Sequence, residues 1–146
     1  VRSTRESIAA VFLPLFAGGG IYLLFRSRTL MMFRWVDALG LGGPLDVLRR
    51  WTIPMAEGLP DILLYSAPDG LWACSYACLC MWIWNSGPLY RAIGWALLVP
   101  LVAFFSEVGQ LAGWVRGTYD PWDLLCYVVG GGAPVWWYVR KQYVTA

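Results

Sequence analysis

The sequence predicts an all-α protein: a four-span transmembrane helical bundle with interfacial helices in its first connector, one domain over residues 1–146. Three observations predict it. Apolar residues make up 59% of the chain with glycine left out, and charged residues only 14%; soluble domains run at roughly 45–50% apolar with glycine included and about 25% charged. Long apolar runs recur along the chain, with no alternating pattern of the kind that marks a strand. Ten Trp and eight Tyr supply the aromatic belts that sit at a lipid–water boundary.

Composition also excludes functions. A net charge of +2 without a basic run gives no footprint for nucleic acid. Histidine is absent, which removes the commonest metal and haem ligand and the commonest general base. The cysteines Cys74, Cys78, Cys80 and Cys126 form no C-x-x-C pair, and three share one apolar run. They read as small, polarizable core residues, and no metal or other cofactor is expected.

The elements follow in order. Val1 to Ser7 is a polar lead carrying Arg2 and Arg5, and 8–25 is an uncharged apolar run, just long enough to span. It is too long for the core of a signal peptide and FAGGG is a poor cleavage site, so it reads as a retained helix. Gly18-Gly19-Gly20 either kinks this helix or admits a close neighbour. The connector 26–66 is too long to lack structure. LMMFRWVDALGL, 30–41, mixes apolar and charged residues as a helix on a membrane surface does. A second short helix opens at Pro44, with proline at its first position and Asp46 in its first turn. The second span is predicted at 69–86, after a lead-in along the surface at 61–66. Asp69 then meets the positive end of that helix, and Trp72, Trp82 and Trp84 form girdles near its ends. Gly87-Pro88 is a turn, and the third span covers 90–114 with Pro100 in its middle. A short hairpin, Val115 to Tyr119, leads to the fourth span, 121–139, closed by Arg140 and Lys141. Basic residues divide almost evenly between the two sides, so the positive-inside rule gives only a lean toward both termini inside.

The polar residues concentrate in FFSEVGQLAGWVRGTYDPWDLLCYVVGGG, 104–132. Glu107 and Gln110, three apart, share one helix face, and Trp114 continues it. Asp123, Tyr127 and Gly130 form a matching stripe on the next helix. Asp120-Pro121-x-Asp123 is a helix start: an N-cap, proline at N1 and an acid at N3. Capping accounts for Asp120 and in part for Asp123. It does not account for Glu107, placed roughly 10 Å inside its helix; a buried carboxyl there needs a partner or a proton. Antiparallel packing of the two helices sets Gln110 between Asp123 and Tyr127, with Glu107 near Tyr127 and Gly130 allowing the pair to close. Glu107 is expected to face the bundle and bond Tyr127, Gln110 or backbone near Ser106. Arg116 is expected to bridge to Asp120 or Asp123 across the hairpin, or otherwise to reach lipid phosphate.

Glu107-x-x-Gln110, then Arg116, then Asp120-x-x-Asp123 and Gly130 resembles the VanZ-like family of small bacterial membrane proteins. The resemblance covers about 30 residues. The loop between Arg116 and Asp120 is one residue longer than the family's, and Tyr127 stands where the family has Asn. The resemblance implies a multi-pass protein of the bacterial inner membrane. The founding member is associated with low-level teicoplanin resistance, and most relatives have no known reaction.

Two functions lead, with a transporter or proton relay behind them. One is a non-catalytic accessory or structural subunit, whose partners are the lipid bilayer and other membrane protein subunits; small size and the lack of a nucleophile–base pair favour it. The other is a membrane-embedded enzyme, or a protein handling lipid or antibiotic. There Glu107 would be the acid or base with Gln110 and Tyr127 beside it, Arg116 would bind an anion, and Asp120 and Asp123 would hold a polar headgroup or a divalent ion.

Overall fold

In residues 4–144, which the computed structural model describes, every regular element is a helix. α1 spans Thr4–Phe25, α2 Met31–Ala38 and α3 Gly42–Thr52. A 3₁₀ turn, Ile53–Gly58, and a π-helical turn, Ile62–Ser66, lead to α4, Ala67–Ile83. α5 is Leu89–Leu111 and α6 is Pro121–Val144. Arg5–Phe25 and Leu89–Leu111 are long and apolar enough to cross a membrane.

Several expected boundaries move. α1 starts by Thr4, inside the stretch expected as a polar lead; Arg2 lies outside the described residues. The segment 61–66 is not a separate surface lead-in. Its π turn runs without a break into α4, the Ala67 N–H reaching back to the Ile62 carbonyl. Pro68 explains the turn: its ring cannot pack under the carbonyl four residues back, and one wider turn relieves the clash. The combined helix is roughly 30 Å long and ends at Ile83, three residues earlier than expected. Asp69 therefore lies inside a continuous helix and not at a free N-terminus. α3 begins at Gly42, so Pro44 is its third residue and Asp46 falls beyond the first turn. α6 continues past Arg140 and Lys141 to Val144.

The long helices pack with α4 at the centre, against α1, α5 and α6, while α5 also packs on α6. Chain direction makes α4 and α6 parallel. Small residues allow these approaches. A Cβ on Gly18 would lie 2.9 Å from the Trp72 indole nitrogen and 3.0 Å from the Pro68 carbonyl, so the triglycine admits a neighbour, as one of its two readings held. Trp72 packs between α1 and α4, its ring 5.3 Å from that of Tyr22, and is no outward girdle. The Ser75 hydroxyl donates to the Val11 carbonyl at 2.8 Å. Between α4 and α6, a Cβ on Gly70 would meet the Cys126 carbonyl at 2.9 Å, and one on Gly130 would fall on the Gly70 carbonyl. Gly70 thus faces the small-residue pair Cys126-x-x-x-Gly130. Gly130 was expected to serve the α5–α6 contact; there its neighbour Gly131 meets Pro100. The far end is filled by Ala77, Cys80, Met81, Ala92 and Ala96. Large apolar side chains such as Leu13, Phe16, Val102 and Phe105 point outward. Small residues inside and large ones outside is the reverse of a soluble core.

The connector folds over the C-terminal end of α1. Arg49 is buried and donates to two unsatisfied carbonyls there, those of Leu23 and, at 2.8 Å, Arg26. Burial and the charge of Arg28 pull its guanidinium below the ordinary value. Arg28 bridges Asp37 at 3.0 Å and Asp46 at 2.7 Å. Phe33, fully buried, lies under both guanidinium groups.

Candidate functional site

The polar cluster is at the end of the bundle where α1 and α5 finish and α4 and α6 begin. α5 stops at Leu111 because Gly113 takes a left-handed conformation, φ 74°. The Gly113 N–H bonds the Gln110 carbonyl and the Trp114 N–H bonds that of Gly109, which is the Schellman termination. Trp114 accordingly leaves the helix and stands exposed, so it does not continue the Glu107 stripe. Glu107 lies about one turn from the end of α5 and not two turns inside.

Glu107 is buried, and both its oxygens are engaged. Oε1 accepts from Gln110 Nε2 at 2.9 Å, and Oε2 accepts from the Asp120 backbone N–H at 3.4 Å. Its pairing with Gln110 and its inward direction are as expected. Its second partner is not one of those expected: Oε2 meets the first residue of the hairpin's second arm, while Tyr127 lies within electrostatic reach. The carboxylate sits between the negative end of α5, where a charge is unfavourable, and the positive end of α6, where it is favourable. The Asp120 N–H supplies the second setting.

Asp120 caps α6 as the sequence indicates, Oδ1 accepting from the Trp122 N–H at 2.9 Å. In a capping box the acid at N3 reaches back to the N-cap N–H. Here Glu107 takes that bond from the neighbouring helix, and Asp123 is displaced from it. Asp123 Oδ1 is buried without a hydrogen-bond partner among the described residues, as is Ser66 Oγ in the π turn.

Arg116 does not make the first of its two expected contacts, the bridge across the hairpin. It is exposed and makes no ion pair with Asp120 or Asp123. The loop backbone is the reason. Val115 packs on Gly109, and Gly117, φ 153°, rests on the Gln110 amide. With residues 115 and 117 turned in, the side chain between them turns out.

Asp69 belongs to the cluster and sequence reasoning missed it. Its half-buried carboxyl lies within electrostatic reach of Asp123, Arg26 and Glu107. Tyr127 is within reach of Asp69, Asp123 and Glu107. The available signal was an acid inside an otherwise apolar run; in sequence it reads only as an acid at the start of the second span. Among the described residues no group of three His, Cys, Asp or Glu is placed to hold a metal ion. The cysteines are free thiols, Cys80 buried. Comparison with known proteins returns no matching family model, curated protein or solved structure.

Proposed function

We propose that the chain is a four-span integral membrane protein of VanZ-like type in a bacterial inner membrane. In this reading it is a non-catalytic accessory or structural subunit that packs on a larger membrane complex. α1, the helix Ile62–Ile83, α5 and α6 are the spans, and the connector lies along the surface at the cluster end. The helix Ile62–Ile83 and α6 match the other two in length; Asp, Gly, Pro, Tyr and Trp dilute their apolar character. Outward-facing Leu, Phe and Val suit lipid or partner helices.

The observation that carries the subunit reading is the engagement of Glu107. A catalytic acid or base needs an oxygen turned toward a substrate, whereas both oxygens of Glu107 are held by Gln110 and Asp120. The cluster reads as a clasp that ties the end of α5 to the start of α6. Purification of wild type and Glu107→Gln from native membranes tests it. Both should carry the same partners at the same stoichiometry, with no phosphate release or lipid modification traceable to Glu107. Loss of such an activity in Glu107→Gln with the fold intact would overturn the reading.

One observation favours the enzymatic alternative. Asp123 Oδ1 and Ser66 Oγ are buried and unpartnered at the same end as Asp69, and an unsatisfied polar atom at a helix start is costly to keep. In that reading Asp123 and Asp69 would contact a polar headgroup, with Glu107 in support. Asp123→Asn separates the two: it leaves a subunit's assembly unchanged and removes an enzyme's turnover.

A further inference from the structure

At the cluster end three exposed tryptophans stand one or two residues from exposed arginines in the chain: Arg34 with Trp35, Arg50 with Trp51, and Trp114 with Arg116. Trp35, Trp51 and Trp114 are 62%, 77% and 85% exposed. None of these arginines has an acid, a hydrogen-bond acceptor or an aromatic ring as partner among the described residues. The other cations of the connector are committed: Arg26 to the rings of Tyr22 and Tyr65, Arg28 to two aspartates, Arg49 to the end of α1. The far end is arranged differently. There Arg91 lies over Tyr90, Arg140 over Trp136 and Lys141 over Trp137, at 5.8, 5.3 and 5.1 Å from the ring centres. Among the described residues, exposed tryptophans within two residues of an unpartnered arginine therefore occur at this end only; Arg5, exposed at the far end, has no tryptophan near it in the chain.

We propose that these three Trp–Arg pairs form a rim that docks on the headgroup layer of an anionic phospholipid leaflet. The proposal rests on the membrane-spanning reading above. Indoles settle at the level of the headgroups, and guanidinium groups take phosphate oxygens in a bidentate fork. Exposed Met31, Leu39, Leu48 and Met55 in the same connector add apolar surface at this end. A headgroup layer offers phosphate and hydrocarbon in one plane, which a purely charged protein partner does not. The exposed acids at this end are Asp37, which is paired with Arg28, and Glu57 and Asp61, which lie at the junction of the 3₁₀ turn with the α4 helix with no tryptophan beside them in the chain. The selectivity arises from the pairs and not from net charge.

The test uses the full chain in mixed micelles of phosphatidylglycerol and phosphatidylcholine, with the lipid retained after detergent exchange measured by mass spectrometry. Each rim arginine is worth about fivefold in affinity for an anionic surface, so wild type should retain phosphatidylglycerol several-fold above its share of the mixture. Arg34→Gln/Arg50→Gln/Arg116→Gln should fall to the bulk ratio, and the corresponding lysine variant, which keeps the charge and loses the bidentate fork, should fall between that and wild type. Arg91→Gln/Arg140→Gln/Lys141→Gln, at the far end, should match wild type. A glutamine rim variant that retains wild-type enrichment, or a far-end variant that loses it, overturns the proposal. Alkaline carbonate extraction of the chain from pure phosphatidylcholine vesicles separates the two layers of inference. Protein that extracts defeats the membrane-spanning reading and the rim with it. Protein that stays embedded without enriching phosphatidylglycerol defeats the rim alone.

Discussion

Glu107 and Asp123 are carboxylates of adjacent helices with opposite surroundings. Glu107 satisfies a side-chain amide and a helix N-terminal N–H, so removing it orphans both. Glu107→Leu should destabilise the bundle by about 1–2 kcal/mol, since interhelical hydrogen bonds in membranes are modest. Glu107→Gln, which retains an acceptor, should be nearly silent. Asp120→Ala removes the α6 cap and should cost about 0.5–2 kcal/mol. Asp123→Asn should leave stability unchanged or higher, because Oδ1 makes no bond that the amide would lose. Unfolding of the micellar protein followed by tryptophan fluorescence ranks the four. The Glu107–Gln110 pairing and the Asp120 cap were legible in the chain because both are local, set by spacing along one helix. Asp69 and Arg116 were not legible. The surroundings of Asp69 depend on a π turn that joins two segments, and the direction of Arg116 depends on how Val115 and Gly117 pack on α5.

At the level of elements, glycine sets which helices touch. A Cβ on Gly130 falls on the Gly70 carbonyl, whereas one on Gly132 meets nothing within 4 Å. Gly130→Ala should therefore cost about 1–3 kcal/mol, as overpacked sites do. Gly132→Ala should be neutral or gain up to about 1 kcal/mol from helix propensity. The same unfolding assay reads both, and equal effects would contradict the parallel contact of α4 with α6. Arg49→Ala should cost about 1.5–3 kcal/mol, since it strips two charge-assisted bonds from the end of α1. Helix existence and order were readable from apolar run lengths. Helix ends were less so: α5 stops at a left-handed Gly113, and nothing in the apolar pattern distinguishes that glycine from Gly109, which stays helical. The glycine contacts of α4 with α6 were hidden because pairing of non-consecutive helices is a tertiary choice.

For the whole molecule, the chain alternates in direction through α1, the helix Ile62–Ile83, α5 and α6. It gathers the connector and the hairpin at one end, and the loop 84–88 and the C-terminal end of α6 at the other. If all four helices cross the bilayer, these two sets of loops lie on opposite sides, with the Glu107 clasp just beneath the connector side. The most direct measurement is labelling of single cysteines in a cysteine-free background by a membrane-impermeant maleimide, applied to sealed and then to opened vesicles. Glu57→Cys and Thr118→Cys should react from one side, and Asn85→Cys and Gln142→Cys only from the other. Reaction of Asn85→Cys and Thr118→Cys from the same side, or of Glu57→Cys and Thr118→Cys from opposite sides, would contradict the four-span account.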